Sequence, residues 1–217
     1  MAIPLRVKIS TVFKLLFEPK ILRFLLSQRH VGYLIDQGWF NSFKVNSPVG
    51  KNNEPFPWMT YPFIDFIKDR LNKELTVFEF GSGNSTLFFA ERVKKIVAVE
   101  HNKEWYDLIK SKMPGNVSIH LKNLSEEYQN TVINYEQCNI IIVDGSNRNE
   151  CIYNSVKSLS ASGIIILDDS ERKDYYEGKG FLKKSGFKSI DFWGFSPGLF
   201  YKKATSVFYK DNNCLGI

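Results

Sequence analysis

The chain of 217 residues has only three cysteines, Cys138, Cys151 and Cys214, an odd number with no CxxC spacing. Neither a zinc knuckle nor a disulfide framework is indicated, and a reducing, cytoplasmic setting is the simplest fit. Histidine is equally scarce: His30 and His120 offer no partner at ligand spacing, and His101 sits beside a strand end. No Ser-His-Asp or His-Glu cluster can be assembled, so hydrolase chemistry gets no support. No stretch reaches the roughly 18 to 20 uninterrupted apolar residues of a membrane span, and the first segment lacks the small-residue cleavage site of a secretory signal. Repeats and low-complexity tracts are missing too. Acidic residues are nearly absent from positions 1–30, where Glu18 stands alone against Arg6, Lys8, Lys14, Lys20, Arg23 and Arg29.

What is present is globular: 43% hydrophobic and 15% aromatic residues, enough for one good core plus an appendage. The formal charge of +6 is concentrated in the first thirty positions, where basic residues interleave with Phe13, Leu16, Phe17, Ile21 and Phe24. Such a segment fits peripheral contact with an acidic membrane surface, or one or two cationic helices packed on the main domain or on a second subunit of a homo-oligomer. Glu18-Pro19 interrupts its helical pattern. Residues 1–50 are therefore expected to form a basic amphipathic helical extension and loop, with residues 51–217 as the folded domain. Asn41 to Pro57, rich in Asn, Ser, Pro, Gly and Lys, reads as the connecting loop.

The most informative stretch is Thr76 to Ala90: a buried strand, the turn Gly81-Ser82-Gly83, and the start of a helix. The glycines let the backbone turn sharply beside a ligand, and Asn84 or Ser85 can cap the helix whose amides face it. A second strand, Lys95 to Val99, ends in Glu100, 21 positions beyond Glu79, the length of one βαβ unit. A right-handed crossover brings both acids to the same carboxyl edge, where Glu100 can accept ribose hydroxyls. Further on come a helix at Tyr61 to Asn72 before the first strand, then helix Lys103 to Lys112, strand Val117 to Leu121, strand Asn139 to Val143, helix Asn149 to Leu159 and strand Gly163 to Leu167. Lys188 to Trp193 and Thr205 to Lys210 are two β-rich runs joined by a loop. The alternation predicts an α/β fold, a Rossmann-like doubly wound, mostly parallel sheet.

The pattern Glu79, Gly81, Gly83 resembles class I S-adenosylmethionine-dependent methyltransferases, over about residues 56 to 217, and is similar in feel to macrocin-type and catechol-type small-molecule O-methyltransferases. The third glycine position holds Ser85, which favours S-adenosylmethionine over NAD. The resemblance implies an antiparallel last strand and transfer of a methyl group to an oxygen, less readily a nitrogen, of a small-molecule acceptor. It implies that Gly81 and Gly83 accept the methionine end, that Glu79 helps hold its amino group through the loop, that Ser85 also binds the cofactor, that Glu100 binds ribose, and that Asn123 and Leu124 adjoin adenine.

Strand ends Asp144-Gly145 and Asp168-Asp169 bring three carboxylates to the ligand crevice. Such convergence suggests a general base or a cation site. Asp144 and Asp168 are the candidate catalytic acids, Asp144 also adjoining the cofactor, and the resemblance nominates Asp144, Asp168 and Asp169 as Mg²⁺ ligands. Two departures stand against this: Asp169 replaces an expected Asn, and Ser146-Asn147-Arg148 replaces a His after the Asp-Gly. Two aromatic segments, one with Trp58 and Tyr61 and one with Trp193 and Phe195, are expected to flank an acceptor. The rival readings are an NAD(P)-dependent oxidoreductase, for which no Tyr-x-x-x-Lys pair is suitably placed, a non-catalytic membrane-surface protein, and an RNA methyltransferase. No RNA-binding module is recognisable, so a nucleic-acid partner is not expected.

Overall fold

The structure is a computed structural model that describes residues 4–217; the first three positions of the basic arm lie outside the described residues. Among the described residues five helices precede the first strand, beginning with α1 (Leu5–Leu16), α2 (Pro19–Ser27), α3 (Tyr33–Asp36) and α4 (Trp39–Val45). Pro19 opens α2 at a position where its fixed φ suits the helix and no intrahelical N–H is lost. Then follow α5 (Tyr61–Lys68), β1 (Thr76–Phe80), α6 (Asn84–Ala90), β2 (Lys95–Glu100), α7 (Lys103–Lys110), β3 (Val117–Leu121), α8 (Glu126–Asn130) and β4 (Cys138–Val143). The chain ends with α9 (Arg148–Ser158), β5 (Leu159–Leu167), α10 (Tyr176–Lys184), β6 (Lys188–Ser196) and β7 (Leu199–Tyr209).

Seven strands form one sheet in the order β3-β2-β1-β4-β5-β7-β6. The first five run parallel, and β7 enters antiparallel between β5 and β6. The order reverses between β1 and β4, which opens a crevice at their carboxyl ends. Strand alternation supplies the core: Ile140, Ile142, Ile164 and Ile166 pack with Phe63, Ile67 and Phe89 on one face. Ile141, Val143, Ile165 and Leu167 pack with Phe80, Ile152 and Leu182 on the other. All three cysteines are free.

The expected mostly parallel sheet with an antiparallel ending is present, but several elements differ in extent. The two C-terminal runs are long strands, β6 and β7, joined at Pro197-Gly198 instead of by an aromatic loop. Aromatic residues favour strands and Pro-Gly favours a tight turn, so both signals act to extend the hairpin. Trp193 and Phe195 consequently lie in β6. Helix α10 was not anticipated, α5 stops at Lys68 short of Asn72, and the expected loop from Asn41 begins as helix α4.

The extension also divides. Tyr33 Oη donates to Asp65 Oδ2 at 2.6 Å and Trp39 Nε1 donates to the Leu199 carbonyl at 2.9 Å, so α3 and α4 are fastened to the domain. Helices α1 and α2 bury no residue. The expectation that they pack on the domain is not met. Ile142→Ala, at a fully buried position of β4, is therefore expected to cost ~2–5 kcal/mol in urea denaturation. Leu16→Ala on α1 should change stability by less than ~0.5 kcal/mol; a cost comparable to that of Ile142→Ala would show that α1 is packed after all.

Candidate active site

Gly81, at φ 94°, carries β1 into the turn; its N–H donates to the Val99 carbonyl at 2.9 Å. An added Cβ there would lie 3.3 Å from the Asp144 carbonyl, so a side chain would press on the neighbouring strand end. Glu79 does not reach the crevice. Buried beneath the turn, its carboxyl accepts hydrogen bonds from Ser85 Oγ and, at 2.6 Å, from Thr86 Oγ1. Thr86 Oγ1 in turn accepts the Gly83 N–H at 3.0 Å. Glu79 thus fastens the start of α6 to β1 and holds the glycine turn in place. Burial pushes its carboxyl up to about 8 against the pull of those hydroxyls, and the charges of Asp144 and Glu100 add to the rise.

Glu100 closes β2 with its carboxylate buried and aimed at the turn: Oε2 accepts Ser82 Oγ at 2.8 Å, while Oε1 accepts the His101 and Asn102 N–H groups at 2.8 and 2.9 Å. Trp105 Nε1 donates to the Ser82 carbonyl at 2.8 Å. Asn84 Nδ2 donates to the Pro48 carbonyl at 2.6 Å, which draws the segment after α4 over the turn. Between them lies a cavity of about 340 Å³, bounded by Pro48, Trp58, Gly83, Ser85, Trp105 and Asp144. Behind Gly145, Tyr128 Oη is buried without a hydrogen-bond partner, its ring edge to face with that of His101 at 5.8 Å, and His101 Nδ1 lies 3.3 Å from Glu100 Oε1. A Cβ on Gly145 would overlap Tyr128 Oη, so glycine is required there.

A second cavity of about 530 Å³ adjoins the first and shares Asn46, Trp58 and Asp144 with it; Asp168, Asp169, Arg172, Tyr201 and Lys203 form its floor. Lys203, on β7, is buried with its ammonium 2.5 Å from Asp168 Oδ2, 2.7 Å from Asp169 Oδ1 and 3.0 Å from the Trp58 carbonyl. Thr205 Oγ1 donates to the other Asp168 oxygen at 2.6 Å. Arg148 donates to Asp144 Oδ1 at 3.0 Å and to the Gly145 and Asp168 carbonyls, and Arg172 pairs with Asp169 at 2.6 Å. The acids differ accordingly. Burial opposes ionisation of Asp169, but Lys203, Arg148 and Arg172 outweigh it and hold its carboxyl below the usual range. Burial raises Asp168 despite Lys203. Burial and then the charge of Asp168 raise Asp144 to about 7, with Arg148 and Lys203 only partly countering.

Trp58 lines both cavities, with its Nε1 donating to the Pro197 carbonyl at 2.8 Å. The other expected acceptor residues do not: Tyr61 is wholly buried with its hydroxyl unpartnered, and Trp193 and Phe195 stand on β6 outside the cavity walls. Asn123 and Leu124 are exposed beyond β3, also outside them. Sequence reasoning did not single out Trp105, Lys203 or the pairing role of Arg148. The acid-to-arginine spacings Asp144/Arg148 and Asp169/Arg172 are visible in the sequence, whereas Lys203 reads as one more charge on a strand. The Tyr-x-x-x-Lys spacing does occur, at Tyr106/Lys110, Tyr153/Lys157 and Tyr175/Lys179, but none of the six residues lines either cavity.

No family model and no curated protein matches the chain. Solved structures do. A precorrin-6y C5,15-methyltransferase from Geobacter metallireducens superposes with a TM-score of 0.55 at 17% identity, over 69% of this chain and 88% of that one. A Staphylococcus aureus protein assigned as a caffeoyl-CoA O-methyltransferase gives 0.54 at 15%, over 87% and 98%. A Streptococcus mutans protein assigned as a methyltransferase, solved in complex with SAH, gives 0.51 at 16%, over 70% and 99%. The chain has the class I methyltransferase fold.

Within that fold, the glycine turn, the cavity against it and the buried Glu100 carboxylate that holds Ser82 fit a nucleoside ligand. The Mg²⁺ expected at Asp144, Asp168 and Asp169 does not fit. Lys203 places its ammonium between Asp168 and Asp169, Arg148 takes Asp144, and among the described residues no three His, Cys, Asp or Glu side chains are arranged to hold a metal ion. The charge a divalent cation would supply is already built into the protein.

Because Glu79 keeps its proton to about 8 when folded but only to ~4.3 when unfolded, folding takes up a proton between those values. The stability this group contributes is full below pH ~4.3 and is lost as pH rises through about 8. Glu79→Gln should flatten that decline, its unfolding free energy gaining on the unsubstituted protein by up to ~1.4 kcal/mol per pH unit within the window. Parallel denaturation curves from pH ~5 to ~8.5 would show that Glu79 does not carry the proton.

Proposed function

We propose that this chain is an S-adenosylmethionine-dependent methyltransferase that moves a methyl group to an oxygen of a small-molecule acceptor. The observation that carries this reading is the place of Asp144. Among the carboxylates of the described residues it alone lines both the cavity at the glycine turn and the one beside it, and its carboxyl is raised to about 7. A group that titrates near neutral pH is matched to accept a hydroxyl proton and release it again.

The chain's own residues would divide the work. Gly81, Gly83 and the helix start that Glu79 secures would receive the methionine end of S-adenosylmethionine. Glu100 would accept ribose hydroxyls in place of Ser82, with Tyr128 Oη as a free group near the adenosine. When bound, S-adenosylmethionine supplies an electrophilic methyl carbon on a sulfonium. Trp58 and Tyr201 would hold the acceptor, Asp144 would take its hydroxyl proton as the oxygen gains the methyl group, and Arg148 would steady the Asp144 carboxylate. Alignment and removal of one proton are the contributions the reaction needs from a protein. The neighbour with SAH and the one assigned as an O-methyltransferase support this reading at the level of fold.

Cofactor choice is tested without an acceptor. S-adenosylhomocysteine at ~100 times its dissociation constant should stabilise the protein by ~2.7 kcal/mol in thermal unfolding, and NAD should not. Glu100→Ala should weaken that binding by ~1.5–3 kcal/mol while the fold survives; unchanged affinity removes the ribose assignment. Against a panel of phenolic and sugar hydroxyls, release of S-adenosylhomocysteine should rise with pH through about 7. Asp144→Asn should slow it ~10²- to 10⁴-fold, and a chelator should leave it unchanged. Activity abolished by the chelator and restored by Mg²⁺ would overturn the metal-free mechanism.

A further inference from the structure

Helices α1 and α2 are the part of the molecule that methyl transfer leaves unexplained. On α1, Leu5, Ile9, Val12, Phe13 and Leu16 fall on one side, at the i, i+4, i+7 spacing of a helical stripe. On α2, Ile21, Leu22 and Leu25 lie opposite Lys20 and Arg23, with Phe24 and Leu26 at the flanks of the stripe. Both stripes face solvent: Leu5 is 72% exposed, Phe24 63%, and Phe17 at the joint 85%. Neither helix contains an acid, and no salt bridge engages their arginines or lysines among the described residues.

We propose that α1 and α2 form an interfacial arm that lies on an anionic phospholipid surface, its apolar stripes among the acyl chains and its basic residues at the headgroups. The charge pattern selects this occupant over a second copy of the chain, because two such arms would bring cations together with no acid but Glu18 between them. It also selects it over a span, since no helix of the described residues is long and apolar enough to cross a membrane. The arm continues through α3 into α4, whose exposed Phe43 lies with Phe200 and Tyr201 around a groove that adjoins the second cavity. Docking would thus hold the mouth of the acceptor site near the lipid. The proposal does not depend on methyl transfer, and its test measures no activity.

The experiment is co-sedimentation of the full chain with phosphatidylserine/phosphatidylcholine vesicles and with phosphatidylcholine alone. Binding to the anionic vesicles should exceed binding to neutral ones by at least ~10-fold and should fade near 1 M salt, where the Debye length is ~3 Å. The double variant Phe13→Glu, Phe24→Glu should stay in the supernatant while its thermal unfolding matches that of the unsubstituted chain, because neither side chain packs on the domain. Arg6→Gln, Lys8→Gln and Lys14→Gln together should lose the preference for anionic lipid. No sedimentation with anionic vesicles at low salt, or equal binding to both vesicle types, overturns the proposal. A dimer in sedimentation velocity that the Phe13→Glu, Phe24→Glu variant splits, without vesicle binding, assigns the arm to a second copy instead.

Discussion

The ammonium of Lys203 is the contact on which the carboxyl edge depends. It donates to Asp168, Asp169 and the Trp58 carbonyl, so one buried side chain joins β7, the end of β5 and the segment entering α5. Taking a lysine out of water is costly, and it is tolerated here because all three of its hydrogens meet acceptors and two of these are charged. Removing Lys203 would leave the buried Asp168 carboxylate without a cationic partner. Thr205 completes the arrangement from the same strand, binding Asp168 while its hydroxyl accepts the Thr60 N–H.

That arrangement separates three neighbouring carboxylates into different roles. Asp168 and Asp169 are committed to Lys203, Thr205 and Arg172, and act as structure. Asp144 keeps one charged contact to Arg148, is only partly exposed, and is left with a carboxyl near 7. Environments that push neighbouring acids apart in this way are how one site holds both fixed charge and a group free to exchange a proton. On the other side of the crevice Glu79 works in the same structural sense, carrying its load through Ser85 and Thr86 instead of touching a ligand.

The βαβ unit from Thr76 to Glu100 was legible because strand, glycine turn, helix and acidic strand end follow one another at a spacing only that unit satisfies. The strands at Ile140 to Val143 and Ile164 to Leu167 were legible as continuous apolar runs, the mark of a strand buried on both faces. The hairpin from Lys188 to Tyr209 was legible as two β-rich runs but not in its length, since the aromatic residues between them suggest a lid as readily as a strand and only pairing decides. The three acids were placed at the right edge, but their partners were not foreseen. Lys203 lies 35 positions beyond Asp168, and nothing in a run such as Tyr201-Lys202-Lys203-Ala204 says which lysine turns inward. Tyr61 was expected at the pocket from its place at the start of α5, yet the helix turns that ring into the core.

Lys203 supplies the positive charge at this edge, so the acids there have no room for a divalent ion. The most direct measurement is a titration of the full chain with Mn²⁺ followed by electron paramagnetic resonance. The free-ion signal is expected to track the total Mn²⁺ added, with no saturable site. A stoichiometric Mn²⁺ site that disappears in Asp168→Asn would show that these acids hold a divalent ion despite Lys203.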